Sequence, residues 1–400
     1  MTKDCKVSII GWGMVERVQA VAYKAVQRYF PRECPKKYEL YEAAVPFGLE
    51  KEAVEAGWKA STDLHAVLSN PETDLVDICL PPQIHYNVVK MAFDSGKHVF
   101  REKPLWGTLL DAYKMADIAA AHPNQLASFN YIYRGSPSAI YARKILQEGR
   151  FGKVMEVVCS YCQSWGWDDI PHSTRFDDEG GTLADLGSHA LDMLYFQTGM
   201  RPIEVLGLQT THVKERPLLF PMDERIRGTG PDRVVRRSGL YRGDCHDYFL
   251  VKTDDATDAL FTLPGGAIGS LHCTRNAWGN ENSHNFVIYC EHGALRWSYD
   301  DLNYLEIYDA RTPERGWVRM LCDRKGCAYF NFADGHMIGY RDLMVFACYA
   351  NLRKICGLPE IAPTATFADA LEVERTIEAI RRSWKERRWV KLSEITRPEE

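Results

Sequence analysis

Nowhere in the 400 residues is there an apolar run of membrane-spanning length, and the start, Met1-Thr2-Lys3-Asp4, lacks the apolar stretch and small-residue cleavage site of a secretory signal. A dominant charge is missing too. Lys and Arg number 49 against 54 Asp and Glu, interspersed along the chain, so the net charge of −5 gathers neither nucleic acid nor an anionic membrane. These absences point to a cytoplasmic protein with a small-molecule ligand and no nucleic-acid or membrane partner. The twelve cysteines are scattered over a long chain, which argues against a disulfide scaffold. The one C-x-x-C, Cys159 to Cys162, falls in a strand-like run. Residues three apart on a strand point to opposite faces, so it makes a poor metal or redox site, and no metal centre is expected. There is no internal repeat or low-complexity segment.

What the chain does have is alternation. Strand-like runs at Lys6 to Ile10, Tyr38 to Ala44, Leu75 to Leu80, His98 to Arg101 and Gln125 to Asn130 are separated by helical stretches. Between the first two, Met14 to Phe30 carries Val15, Val18, Ala22, Val26 and Tyr29 at helical spacing. Parallel βαβ units and a doubly wound Rossmann dinucleotide-binding domain over residues 1–130 are the expectation.

After residue 130 the texture changes. Following a helix at Pro137 to Glu148, runs rich in β-branched and aromatic residues recur between Val154 and Asp309, separated by turn signals such as Pro264-Gly265-Gly266 and His292-Gly293. The fold class expected is therefore α/β, with a second α+β domain, residues 131–400, built on a large, mostly antiparallel sheet. The stretch Glu215 to Asp244, rich in Pro, Gly and Arg, reads as a long loop whose arginines, Arg225 to Arg237, form a solvated surface. A helix near Phe367 to Lys385 and the apolar tail Trp389 to Leu392 close the chain.

Two motifs carry chemistry. The first is Gly11-Trp12-Gly13, with a strand before it and a helix after it. In that context the first glycine makes a tight turn, the second admits a pyrophosphate to the backbone N–H groups, and the helix N-terminus adds partial positive charge. The third position is occupied by Glu16, where a carboxylate repels a pyrophosphate; Arg17 offsets it or Glu16 points outward. Near the end of the second strand, Glu42 favours NAD if it faces the ribose, and otherwise NADP stays open.

The second motif joins Glu102-Lys103-Pro104, after a strand, to Asp185-Leu186-Gly187-Ser188-His189. C-terminal strand ends line the ligand crevice of such sheets, which delivers Lys103 to the nicotinamide edge. Asp185, His189 and Asp192 follow i, i+4, i+7 spacing on one helical face. Oxidising an alcohol needs a base and a donor to the developing alkoxide. His189 suits the base, Asp185 orients it, and Lys103 hydrogen-bonds the oxygen.

These motifs resemble the glucose-fructose oxidoreductase, inositol dehydrogenase and MocA (Gfo/Idh/MocA) family over nearly the whole length. The resemblance implies Lys103, Asp185 and His189 as the catalytic trio. It implies a cofactor site of Gly11, Gly13, Met14, Glu42, Pro81, His85, Glu102, Lys103 and Asn130, although Pro82 and Gln83 depart from the family's usual Asn and His. Segments around Gln163-Ser164-Trp165, Arg175-Phe176, Thr274-Arg275-Asn276-Ala277 and Ile338-Gly339-Tyr340 are similar to members that oxidise sugar-ring hydroxyls. They imply substrate contacts from Gln163, Trp165, Arg175, Asp185, His189, Arg275 and Asn276, with Trp165 and Trp167 able to stack on a pyranose. The function implied is NAD(P)-dependent oxidation of a sugar or polyol hydroxyl, 3-oxo-sugar formation favoured, in a homodimer or homotetramer. The trio does not separate this from redox-neutral glycoside cleavage on tightly held NAD, and Glu16 keeps a non-catalytic sensor in view.

Overall fold

The computed structural model describes residues 5–399 apart from 31–37, 46–47, 81–84, 106–107, 169, 179, 219–233, 237–246, 323–338 and 361–362. Pro81, Pro82, Gln83, Ile338 and most of the arginine cluster lie outside the described residues, as do the side chains of Met14 and Glu42.

Six strands, β1 (Cys5–Ile10), β2 (Tyr38–Ala44), β3 (Lys59–Ser61), β4 (Leu75–Ile78), β5 (His98–Glu102) and β6 (Ala127–Asn130), form a parallel sheet in the order 3-2-1-4-5-6. The order reverses between β1 and β4, where a crevice opens beyond the strand ends. Helices α1 (Met14–Tyr29), α2 (Glu50–Glu55), α3 (Leu64–Ser69), α4 (His85–Asp94) and α5 (Leu109–Ala121) make the connections. All four residues of β4 are buried, as expected of a central parallel strand covered on both faces. Its one polar member, Asp77, accepts a hydrogen bond from Tyr23 at 3.0 Å, and burial holds its carboxyl well above the usual range.

The second half contributes α6 (Pro137–Gln147), β7 (Val154–Cys162), α7 (Ser188–Thr198), β8 (Glu204–Thr210), β9 (Glu215–Pro217), β10 (Val234–Arg236), β11 (Asp247–Leu250), β12 (Ala256–Thr262), β13 (Ile268–Thr274), β14 (Ser283–Cys290), β15 (Gly293–Ser298), β16 (Tyr304–Asp309) and β17 (Val318–Leu321). It ends with α8 (Tyr340–Ile355), β18 (Ala365–Thr366), α9 (Phe367–Glu386) and β19 (Val390–Lys391). A nine-stranded sheet runs 17-16-15-14-7-13-12-8-19, antiparallel throughout except where β7 meets β13. Burial alternates along β12, so one face packs on helices and the other is open.

Three features depart from the sequence expectation. The stretch from Glu215 is not all loop, since β9, β10 and β11 form a small antiparallel sheet. The helix α8 was not anticipated. The chain also returns to its first sheet, where β18 pairs with β6 while α8 packs on α1 and α9 on α5. A capping box of Thr366 and Asp369 starts α9 at that crossing. Among the described residues Cys79, Cys159, Cys162, Cys273, Cys290 and Cys348 are free thiols, and no helix among those residues is long and apolar enough to cross a membrane.

Candidate active site

Strand β5 ends at Glu102, and Lys103 follows at the crevice, joined to Pro104 by a cis peptide bond. Facing it, Leu183–Gly187 forms a single π turn that runs directly into α7. Such turns frequently occur at functional sites. Lys103 Nζ lies 2.7 Å from Asp185 Oδ1 and donates also to the Asp185 carbonyl at 3.1 Å. Arg175 Nε stands 3.2 Å from the other carboxylate oxygen. Burial would raise the Asp185 pKa, but Lys103, Arg175 and Arg275 outweigh it and hold the carboxyl well below the ordinary range. His189 lines the same cavity, of about 470 Å³. Burial, then the positive charge of Lys103, pushes the His189 pKa well below its usual value, so the imidazole is neutral and able to accept a proton.

The expectation for Asp185 needs correction. It engages Lys103 and Arg175, and His189 Nδ1 is buried without a hydrogen-bond partner. The positioning role of Asp185 therefore falls on the lysine. Asp192, unlike Asp185 and His189, does not line the cavity. It turns to Arg134, whose Nε donates to its two oxygens at 3.0 and 2.9 Å.

Other expected contacts divide in the same way. Gln163, Trp165 and Arg175 line the cavity, with Trp165 Nε1 donating to Gln163 Oε1. Arg275 does not reach it. Fully buried, it donates to Thr182 Oγ1 at 2.7 Å and to the Asp254 carbonyl at 3.4 Å, bracing the π turn from behind. Asn276 gives its amide to the Gly166 carbonyl at 2.8 Å, and Trp167 stacks on Trp278 with ring centroids 5.0 Å apart. On the cofactor side, Glu102 and Asn130 line the cavity and bond each other, and burial lifts the Glu102 pKa to about 7. His85 faces inward instead, where its Nδ1 accepts from Arg101 Nε at 2.8 Å.

Sequence reasoning did not single out Tyr133, Tyr161 or Asn282. The three form one chain, Tyr133 to Tyr161 at 2.6 Å and Tyr161 Oη donating to Asn282 Oδ1 at 2.8 Å, along the cavity wall. Strand alternation was the available signal for Tyr161, which shares a face with Gln163. Behind this wall His284 is fully buried, stacked on Tyr161 at 4.6 Å and edge-on to Tyr133 and Trp297, with neither ring nitrogen partnered.

Burial holds the His284 pKa down at about 3. An unfolded histidine takes its proton near pH 6.5, so wild-type stability is lost as pH falls from there toward 3. Between pH 7.5 and 5, His284→Phe is expected to lose about 2 kcal/mol less than wild type, read by denaturant unfolding at both values. Equal losses in the two proteins would refute this account of His284.

The crevice also suits a dinucleotide. Gly11 has φ +110°, and a β-carbon there would stand 2.7 Å from the Cys79 carbonyl, so only glycine makes this turn. Gly13 then caps the sixteen-residue α1, whose N-terminus lies at the crevice. Residues 5–130 match the oxidoreductase family with an NAD-binding Rossmann fold, and residues 140–296 match the GFO/IDH/MocA C-terminal domain. The chain belongs to the Gfo/Idh/MocA family. It is an NAD-binding oxidoreductase built as that family is, a Rossmann half followed by a sheet domain. Among relatives, levoglucosan dehydrogenase of Pseudarthrobacter phenanthrenivorans is 26% identical over 98% of this chain and 100% of its own. The structure of a levoglucosan dehydrogenase in complex with NADH and L-sorbose superposes with a TM-score of 0.85 at 25% identity, covering 98% of this chain and 99% of that one. An oxidoreductase domain protein from Kribbella flavida gives 0.85 at 29% identity over the full length of both.

Proposed function

We propose that the protein oxidises a ring hydroxyl of a sugar, glycoside or polyol with NAD, favouring 3-oxo-sugar formation, and that Lys103, Asp185 and His189 carry the proton chemistry. The observation behind this reading is the ion pair of Lys103 and Asp185 sharing one cavity with a neutral His189. Residues 1–130 serve as the dinucleotide half and 131–400 as the substrate half. Gln163, Arg175 and Asn282 offer hydrogen bonds to hydroxyls, and Trp165 an apolar ring face to a pyranose.

Gly11, Gly13, Glu102 and Asn130 would hold the cofactor, which when bound supplies the hydride acceptor. His189 takes the hydroxyl proton as the carbon gives up its hydride. Lys103 donates to the oxygen as negative charge develops there, and Asp185 keeps the ammonium aimed. Resemblance to levoglucosan dehydrogenase supports a sugar substrate, and the six free thiols suit a reducing compartment such as the cytoplasm.

The open face of the large sheet carries Leu208, Leu260, Ile268, Val158 and Tyr289, exposed on one face of five neighbouring strands in adjacent rows. We read it as the contact between copies of the chain. Leu208→Arg with Leu260→Arg is expected to shift a dimer or tetramer to monomer, read by light scattering. An unchanged mass would reject this face.

The function is tested by incubating the protein with NAD or NADP and a panel of sugars, glycosides and inositols while following reduced nicotinamide and product. Net reduced cofactor with a keto-sugar is the expected result. Glycoside cleavage without it would indicate the redox-neutral reaction. No turnover of any substrate, with Lys103→Ala leaving ligand binding intact, would make the protein a sensor.

A further inference from the structure

Both glycines of the turn face a single carboxylate. A β-carbon built on Gly11 would lie 2.6 Å from Glu16 Oε1, and one on Gly13 would lie 2.8 Å from Oε2. Glu16 is only 7% exposed, so it does not point outward. Arg17 turns to the surface, where its Nη2 meets Glu52 Oε2 at 2.7 Å. Burial raises the Glu16 pKa, while the backbone N–H groups of Glu16 and Gly13, then the Arg17 charge and the Val15 N–H, pull it back. The carboxylate therefore sits where the N–H groups of the glycine turn and the first turn of α1 converge.

Those groups form the cradle that receives a dinucleotide's diphosphate. An anion already held there excludes a second one by volume and by charge. Glu102 at the end of β5 adds to the repulsion, its own pKa being raised in part by the Glu16 charge. Lys103 offsets Glu102, and its ammonium is engaged with Asp185.

We propose that Glu16 is an internal occupant of the diphosphate cradle, which NAD must displace on binding, so that this side chain sets the cofactor affinity. The inference rests on the assignment of NAD to this cradle. Displacement needs only rotation about the side-chain bonds of Glu16, since both close contacts to the glycines are made by its carboxylate oxygens. Glu16 is thus a specificity-determining residue for the cofactor, and it takes no part in proton transfer.

The test is titration of purified wild type, Glu16→Ala and Glu16→Gln with NADH, read by nicotinamide fluorescence, with unfolding midpoints measured alongside. Both variants are expected to bind NADH more tightly than wild type. Glu16→Ala should gain roughly ten- to a hundredfold, the scale of one hydrogen-bonded charge, and the isosteric Gln a smaller part of that. A residue with a purely structural role would lower the midpoint without tightening NADH. Unchanged or weaker binding in both variants, beside a wild type that binds, overturns the role of Glu16 and leaves the cofactor assignment standing. Failure of all three proteins to bind NADH overturns both.

Discussion

Lys103→Met is expected to lower kcat about a thousandfold while leaving NADH binding within a fewfold of wild type. Lys103 Nζ reaches across the crevice from the end of β5 to the π turn, 2.7 Å from Asp185 Oδ1. It is the cation placed to donate to an oxygen whose charge appears only during reaction. An interaction realised in the transition state alone appears in kcat, with little change in KM. The variant should also fold. Asp185 keeps Arg175 at 3.2 Å, so removing the lysine does not leave a wholly uncompensated carboxylate, and methionine fills the stem's volume. Lys103→Arg should not restore the rate, because a planar fork presents its donors differently from a compact ammonium. Single-turnover reduction of NAD with an active sugar, beside NADH titration, separates the effects. A Lys103→Met enzyme retaining a tenth of wild-type turnover would remove the lysine from the mechanism.

The two segments that meet at the candidate site were legible in the sequence because each sits at a place the topology dictates. A lysine directly after a parallel strand must emerge at the crevice, whatever the rest of the chain does. Direction within a crowded interior was not legible. Arg275 and His85 have the donors and acceptors of site residues, yet Thr182 and Asp254 claim the first, and Arg101 the second. Their residue types fitted the site while their partners lay elsewhere. The spacing of Asp185, His189 and Asp192 misled for another reason. A regular helix puts all three on one face, whereas the π turn widens the turn between Asp185 and His189, and Asp192 is drawn to Arg134.

Helix α8 escaped notice because nine of its sixteen residues are buried, on more than one face, which erases the amphipathic pattern by which helices are read. The tyrosine wall escaped because it is assembled from Tyr133 after β6, Tyr161 on β7 and Asn282 before β14, with no local motif. Glu16 stood out as anomalous, yet it does not point outward, and the Arg17 charge that partly offsets it comes from a side chain paired with Glu52 at the surface. The glycines leave a hollow above α1, and the nearest side chain able to satisfy its N–H groups folded into that hollow.

Arg134→Ala is expected to destabilise the protein by about 3–5 kcal/mol, the largest stability effect of any substitution considered. The guanidinium is 6% exposed and lies between Asp192, itself 1% exposed, and Asp369 near the N-terminus of α9, with Nη1 to Asp369 Oδ2 at 3.1 Å. It therefore fastens α7, which carries His189, to the helix that returns to the dinucleotide half. Truncation leaves Asp192 as a buried, unpaired charge. Burial, only partly offset by Arg134, raises its pKa to about 6 already, and without the arginine it rises further. A carboxyl with a raised folded pKa contributes stability that is present below its unfolded value near 4 and lost as pH rises through the folded value. The deficit of Arg134→Ala should accordingly be full at pH 8 and shrink toward pH 5. Breaking the pair is the source of the penalty, so Arg134→Met with Asp192→Leu, which removes both charges and keeps the volume, is expected to recover most of it. Urea unfolding of the single and double variants at the two pH values decides the matter. A double variant no more stable than Arg134→Ala would mean that the helices are joined by the charges themselves and not by the packing around them.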